Sequence, residues 1–558
     1  MGCLAAVGVA LLAGCAGLPT AGSVQAGREG AGGEELYVRA FAAGPAPGAS
    51  LDQIVEGFLQ AMLAGATDDF KVARSYLADG IAGVWDPSAS VTVYQSGEAP
   101  VLAEAGTQLG RMTMAVTQVG QVDRSGRYSA LDPQRWTEAV GLTQNDDSEW
   151  RIAEVPDGTV IPEDVFRTDY LATPLYFPSA DGQYLVPDRR VFPRQSAATE
   201  AVRQFLDGPP PYLASAVGAV VPPGAHLVAD AVKVTNGVAA VNLSGAMSRA
   251  SETARATVLA CLNETLLALP DVLSVELQIE GVPIEVEQRA GLAVDPASGG
   301  GPLYLADGGI WLQDASGGPT ALAGTEPADV WQTLTADHTM KRFAGLNGGE
   351  VTVIAKAGAE PVAWDLPEGR KPTAPPAFDR LGSLWAASGD QVVAFDSDGA
   401  PTVLGATWLE GSKVTALAAS RDGSRLALAM ETPGVAGVRI AVSGIARGQA
   451  GVPWRLTGPL ELGSVEGPVS SLSWADSLTV AMLARSAAGA EPAPALFTVG
   501  GDRTFLKPPV DPPVSLASGR GADEVYAAGK AGGLFAYSAR GRVWTSLAGG
   551  AKAVALAP

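Results

Sequence analysis

The side chains with the readiest covalent or metal chemistry in this 558-residue chain are three cysteines and two histidines. Cys15 closes the run Leu12-Ala13-Gly14-Cys15, which follows a short apolar stretch beginning at Leu4. An apolar segment of that length, ended by small residues, reads as a secretory signal peptide; a membrane-spanning helix needs roughly 20 apolar residues. Cys3 lies inside the stretch and leaves with it. Cys261 is then a lone thiol, without an internal disulfide partner in a compartment that would permit one. It falls in a helical pattern at 252–269 beside Val258, Leu262 and Leu266, the setting of a small core residue rather than a nucleophile.

Other chemistries find little footing. His226 and His338 have no zinc-type spacing. There is no G-x-S-x-G elbow and no phosphate-binding Walker loop, and Ser244-Gly245 reads as a turn at a strand end. Gly519-Arg520-Gly521 lacks the third glycine and the helix of a dinucleotide site. Asp396-Ser397-Asp398-Gly399 could offer carboxylates to calcium but lacks the twelve-residue loop and terminal Glu, so a turn is expected. The 59 acidic residues offer many accidental carboxylate pairs, none singled out for glycoside hydrolysis. The expectation is no catalytic residue, no metal ligand and no cofactor. Arg189, Arg190 and Arg194 form a local basic cluster, the candidate contacts for an acidic partner.

The run ending in Cys15 resembles the lipobox of bacterial lipoproteins. That resemblance implies cleavage before Cys15 and acylation of its thiol. Acyl chains on Cys15 would then hold the protein on the outer face of the plasma membrane, since two or more anchor stably where one does so only marginally. The departure from the pattern is that no Lys or Arg precedes Cys15. With 38 basic against 59 acidic residues the net charge is −21. Such a surface repels phosphate backbones and anionic headgroups, which argues against nucleic acid as a partner and leaves retention to the lipid.

The elements that would position any site fall into successive regions. Residues 1–14 are the signal peptide, and residues 15–33 are the lipidated Cys and a flexible Gly/Ala-rich tether. Residues 34–168 read as an α+β domain. Ser50 caps a helix carrying Ile54, Val55, Phe58, Leu59, Met62 and Leu63, and a second helical stretch covers 70–77. Strands follow at 90–95, 111–119, 138–143 and 150–153, an order that predicts helices on one face of an antiparallel sheet. It is similar to the cone of nuclear transport factor 2. Residues 169–290 form a second α+β unit, with strands at 175–178, 185–187 and 189–191 and a helix at 197–206. An Asn236-Gly237 hairpin, a helix at 252–269 and a strand at 274–279 complete it. From 291 to 558 helical periodicity vanishes, and 68 Gly and 40 Pro in the chain fit many tight turns. Turn positions near Asp295, Asp337, Asp379, Asp422, Asp476 and Gly521 recur every 42–45 residues, with one interval of 54. That period predicts a β-propeller of about six blades, with 551–557 closing the ring.

Residues 169–290 closely resemble the sporulation-and-germination module GerMN. The resemblance rests on the Tyr-Phe-Pro strand, Arg189-Arg190, Phe205-Leu206-Asp207-Gly208-Pro209, Val221-Pro222-Pro223-Gly224, Ala240-Val241-Asn242-Leu243-Ser244 and the strand and turn ending at Gly281. With Cys15-Ala16-Gly17-Leu18-Pro19-Thr20 and Trp85-Asp86-Pro87-Ser88-Ala89-Ser90-Val91, the four-part order is similar to the lipoprotein LpqB family. That resemblance implies a non-enzymatic accessory protein of the Mtr two-component system. It would contact the sensor histidine kinase ectodomain and influence cell-wall homeostasis and division. The alternative is a scaffold binding peptidoglycan, or a hydrolase with its site in the propeller channel. Cys15→Ala is expected to shift the protein from the membrane pellet to the soluble fraction; its retention in the pellet after fractionation would contradict the lipid anchor.

Overall fold

The computed structural model describes residues 42–558 except 106–108, 288–291, 315–317, 449–450, 520 and 522, and leaves the side chains of 66–68 aside. Leu12, Ala13, Gly14, Cys15 and the tether lie outside the described residues. The first helix, Leu51–Asp68, starts where Ser50 caps it. The Ser50 hydroxyl accepts the Gln53 N–H (3.4 Å), and the Gln53 side chain accepts the Ser50 N–H (2.9 Å). This reciprocal box satisfies two of the donors that a helix start leaves orphaned. The apolar stripe of the helix packs with Met112, Met114 and Ile152 from the sheet behind it and with Trp85 from the segment before the first strand. The second helical stretch shortens to Lys71–Ser75.

That sheet runs in the order Trp150–Glu154, Tyr128–Gln144, Arg111–Asp123, Ser90–Tyr94, Thr159–Pro162, with Val101–Glu104 paired to Arg111–Asp123. It is mixed rather than antiparallel. Past the Gly158 turn, Thr159–Pro162 comes back to pair in parallel with Ser90–Tyr94. Its four residues, Thr-Val-Ile-Pro, offer too short a pattern for periodicity to register. A short helix, Glu163–Asp169, leads directly into Tyr170–Pro178.

The module that follows has two small sheets around a shared core. Tyr170–Pro178 pairs antiparallel with Tyr184–Pro193, one continuous strand where the sequence suggests two short ones. The second sheet holds Lys233–Thr235, Val238–Leu243, Ser274–Ile279 and Val282–Pro283. Asn236 and Gly237 have φ of 51° and 80°, the left-handed pair that a two-residue hairpin requires. Glu252–Leu267, capped by Ser251, buries Val258, Cys261, Leu262 and Leu266 between the sheets. Cys261 is thus a core residue, as its pattern predicts. Ala293–Val294 is a correction to the expected boundary at 290. It pairs in parallel with Tyr184 and Leu185, and so extends the module's sheet from within the stretch assigned to the propeller.

The rest of the chain makes six four-stranded antiparallel sheets. The first joins Gly299–Ala306, Gly309–Gln313 and Pro319–Ala321 to the last strand of the chain, Ala553–Ala557. Leu303, Tyr304 and Leu305 pair with Ala555, Val554 and Ala553, so first and last segments share one blade. The interval of 54 has a physical source. The fourth blade's outer hairpin, Val438–Arg447 with Pro453–Val465, is far longer than the others. Each blade buries apolar side chains on both faces and so depends on its neighbours. Removing residues 553–558 should strip the inner strand from the first blade, lower the calorimetric midpoint and promote aggregation; an unchanged midpoint would contradict closure by this strand.

Candidate functional site

The turns at Asp337, Asp379 and Asp422 lie between the first and second strands of the second, third and fourth blades and share one chemistry. Asp379 accepts the Ser383 N–H (2.8 Å) and the Trp385 indole N–H (2.9 Å), and its carboxylate pairs with Arg447 at 2.7 Å. Asp337 accepts the Lys341 and Arg342 N–H groups and the Thr339 hydroxyl. The fourth blade carries the most elaborate turn, Ser420-Arg421-Asp422-Gly423-Ser424-Arg425. Asp422 takes hydrogen bonds from the Ser420 hydroxyl (2.8 Å), the Ser424 N–H (2.8 Å) and the Arg425 guanidinium (2.5 Å).

Arg425 is fully buried and stands between the propeller and the module. One amino group meets Asp422; the other donates to the Pro187 carbonyl of the module at 3.3 Å. Its guanidinium lies 4.7 Å from the centroid of the Trp474 ring, and the Trp474 indole donates to the Ala418 carbonyl. Burial alone would raise the Asp422 carboxyl, but Arg425 and the Ser420 and Ser424 donors outweigh it and hold the group below its ordinary range. Arg421 beside it pairs with Asp295 at the entry to the first blade. There burial wins, and the Asp295 carboxyl is raised despite Arg421.

The module contributes a matching set. Asp188 pairs with Arg190 and accepts the Tyr212 hydroxyl at 3.1 Å, and burial pushes the Tyr212 phenol well above its usual value. The Tyr212 carbonyl accepts the Gly444 N–H (3.0 Å) and the Thr457 hydroxyl from the fourth blade's long hairpin. A Cβ at position 444 would sit 2.3 Å from that carbonyl oxygen, so only glycine permits the approach. Arg380 of the third blade donates to the Tyr184 hydroxyl at 3.0 Å. Apolar packing runs without a break from Phe177, Phe205 and Val241 of the module to Ala427, Ile440 and Phe497 of the blades.

The three arginines expected to meet an acidic partner all make contacts within the chain, and Arg194 among them is exposed. Arg190 is 3% exposed, with its acidic partner Asp188 next to it in the same strand, and donates to the Ser125 carbonyl of the first domain. Arg189 donates to the Gly500 carbonyl of the fifth blade, and burial lowers its pKa. Arg194 is exposed and donates to the Thr168 carbonyl (2.9 Å). They fasten three parts of the chain where the Thr498–Arg503 hairpin turn meets the module strand. Composition cannot distinguish an arginine that faces a partner from one that faces its own chain. Asp422 reads from the sequence only as a turn position, and its buried partner Arg425 not at all, yet there was a signal: the turn at 420–425 is the one with arginines on both sides of its Asp.

The axial channel is small, about 120 Å³, and lies along the innermost strands of all six blades. Its described lining is serine, threonine and apolar residues with Arg421 as the charged side chain. No carboxylate side chain lines it among the described residues. The other candidates are turns, except that Ser244 precedes the short 3-10 helix Gly245–Arg249. Asp396 accepts the Asp398 and Ala400 N–H groups, and Ser244 is buried and accepts the His226 N–H. His338 is exposed beside Asp337. Among the described residues no cluster of three or more His, Cys, Asp or Glu is arranged to hold a metal ion.

Three family models match in succession. The N-terminal domain of lipoprotein LpqB matches residues 44–167, the sporulation and spore germination domain 174–285, and the LpqB beta-propeller domain 315–557. Relatives called Lipoprotein LpqB include one from Thermobifida fusca, 28% identical over 86% of each chain. Another, from Streptomyces coelicolor, is 28% identical over 87% of this chain and 86% of its own.

Arg425→Met leaves Asp422 buried without its cation and should cost about 3–5 kcal/mol in urea unfolding, while Asp422→Leu/Arg425→Met together should recover part of that loss. Because folding depresses the Asp422 and Asp337 carboxyls, their contribution is present above the free Asp value of about 4 and is lost as pH falls through the folded values. Thermal midpoints recorded from pH 7 to pH 3 should fall, and Asp422→Asn should flatten the decline.

Proposed function

The chain belongs to the LpqB lipoprotein family, and from that premise we propose that it is a non-enzymatic accessory of the Mtr two-component system. In this reading Cys15, acylated after cleavage behind Leu12-Ala13-Gly14, ties the protein to the outer face of the plasma membrane. The body binds the extracytoplasmic domain of the sensor histidine kinase and thereby modulates cell-wall homeostasis and division.

The observation that supports the reading is the way the propeller is held. Its third and fourth blades are engaged with the module through Arg380 and Arg425 of their Asp-bearing turns and through Gly444 of the fourth blade's long hairpin. The loops at the other ends of those strands remain for a partner. A fixed body of this kind acts on a kinase only through unequal affinity for its conformations, because a ligand shifts an equilibrium by its differential binding. The hydrolase alternative asks for convergent carboxylates in the channel, and the described lining offers hydroxyls and Arg421.

Full-length protein solubilised in detergent should retain the kinase ectodomain on an affinity resin, and the ectodomain should not be displaced by insoluble cell wall. Absence of binding would remove the partner assignment. Capture on wall polymer, persisting at both low and high salt with no binding to the ectodomain, would favour the scaffold reading.

A further inference from the structure

The outer edge of the fifth blade departs from the acidic character of the chain. Its last strand, Arg503–Phe505, pairs on one side with Ala493–Thr498 and has no strand on the other. Between this edge and the sixth blade lies a groove of about 580 Å³. Leu496, Phe505, Leu506 and Tyr537 line it, and Lys507 and Arg542 stand at its rim. Phe505 is 39% exposed, and its ring meets Phe497 edge-on at 6.3 Å. Trp544 lies behind two of these lining residues, with its indole donating to the Lys507 carbonyl at 2.7 Å and its ring 5.2 Å from that of Tyr537. No carboxylate lines the groove, and no ion pair among the described residues involves Lys507 or Arg542. In a chain of net charge −21 this is a local reversal of sign over an apolar floor.

We propose that the groove between the fifth and sixth blades docks an extended acidic peptide segment of another protein, which adds to the free edge of Arg503–Phe505. Strand addition supplies main-chain hydrogen bonds, and the two-residue period of a strand sends alternate side chains into the groove. An apolar side chain there covers Phe505 and Tyr537, while flanking carboxylates meet Lys507 and Arg542. Electrostatic complementarity of this kind selects acidic over basic partners and speeds their encounter. A strand edge beside a narrow groove suits a peptide better than a bilayer, which needs a convex apolar face. The site is separate from the kinase reading and holds or fails on its own.

The test uses the full-length protein in detergent and a fluorescein-labelled peptide, Asp-Leu-Asp-Phe-Glu-Leu-Asp, read by anisotropy, with Trp544 emission as a second signal. The acidic peptide should bind saturably, and a version with lysine in place of every acidic residue should not. Lys507→Glu/Arg542→Glu, both on exposed side chains, should weaken binding about tenfold or more, and raising salt from about 0.05 to 0.5 M should weaken it as well. Phe505→Ala should reduce affinity with the salt dependence retained. Equal binding of both peptides, or an unchanged Kd in the double variant, would overturn the proposal. So would phosphatidylglycerol-vesicle binding, or self-association in sedimentation, that the double variant abolishes while the acidic peptide fails to bind.

Discussion

A single buried guanidinium, that of Arg425, sets the geometry of this protein. Taking a cation fully out of water costs several kcal/mol unless a countercharge and hydrogen bonds offset it. Here Asp422 supplies the countercharge, the Pro187 carbonyl accepts across the junction, and Trp474 faces it with its ring. Two of these partners belong to the propeller and one to the module. Its hydrogen bond to Pro187 is therefore made only when module and propeller are docked. Apolar area draws the two together without direction; the Arg425 contacts fix where they stop.

The same logic is repeated at lower intensity. Asp188, Arg190 and Tyr212 form a satisfied polar set on the module side, and the Tyr212 carbonyl reaches the fourth blade. The first domain is attached differently. Val191 packs with Val93, Ile161 and Phe166 of that domain, and the Val191 N–H donates to the Gly126 carbonyl. A Cβ on Gly126 would lie 2.5 Å from the Phe192 ring, so glycine is required for this contact too. Toward the propeller, however, the first domain is spanned by the half-exposed ion pair Arg167–Asp502 and by Arg503–Asp132, whose carboxylate is exposed and whose arginine is largely covered. Exposed pairs of this sort contribute little, roughly 0–1 kcal/mol each. The strength of attachment thus grades from the module–propeller core to the first domain's flank.

Much of this was legible in the sequence where the signal was periodic. Ser50 announced a capped helix, Asn236-Gly237 a hairpin, and the spaced Asp turns a six-bladed ring closed by the end of the chain. What stayed hidden was whatever depends on tertiary partners. Thr159–Pro162 becomes a strand because Ser90–Tyr94 offers a free edge, not because four residues carry a pattern. Ala293–Val294 joins the module because Tyr184 and Leu185 lie beside it. Arg189, Arg190 and Arg194 look like a surface cluster until Gly500, Asp188 and Thr168 are placed against them. The turn at 420–425 was visible as a repeat, but nothing local says that its second arginine reaches Pro187, more than 200 residues away.

Docking governed by the Arg425 contacts requires the module and the propeller to open as one cooperative unit. Native-state hydrogen exchange resolves this most directly, by comparing amides of Val241 and Leu243 in the module with those of Leu428 and Ala441 in the fourth blade. A shared opening free energy for the two sets, falling together in Arg425→Met, is the predicted result. Exchange of the module amides through a separate, lower-energy opening that leaves the blade protected would contradict it.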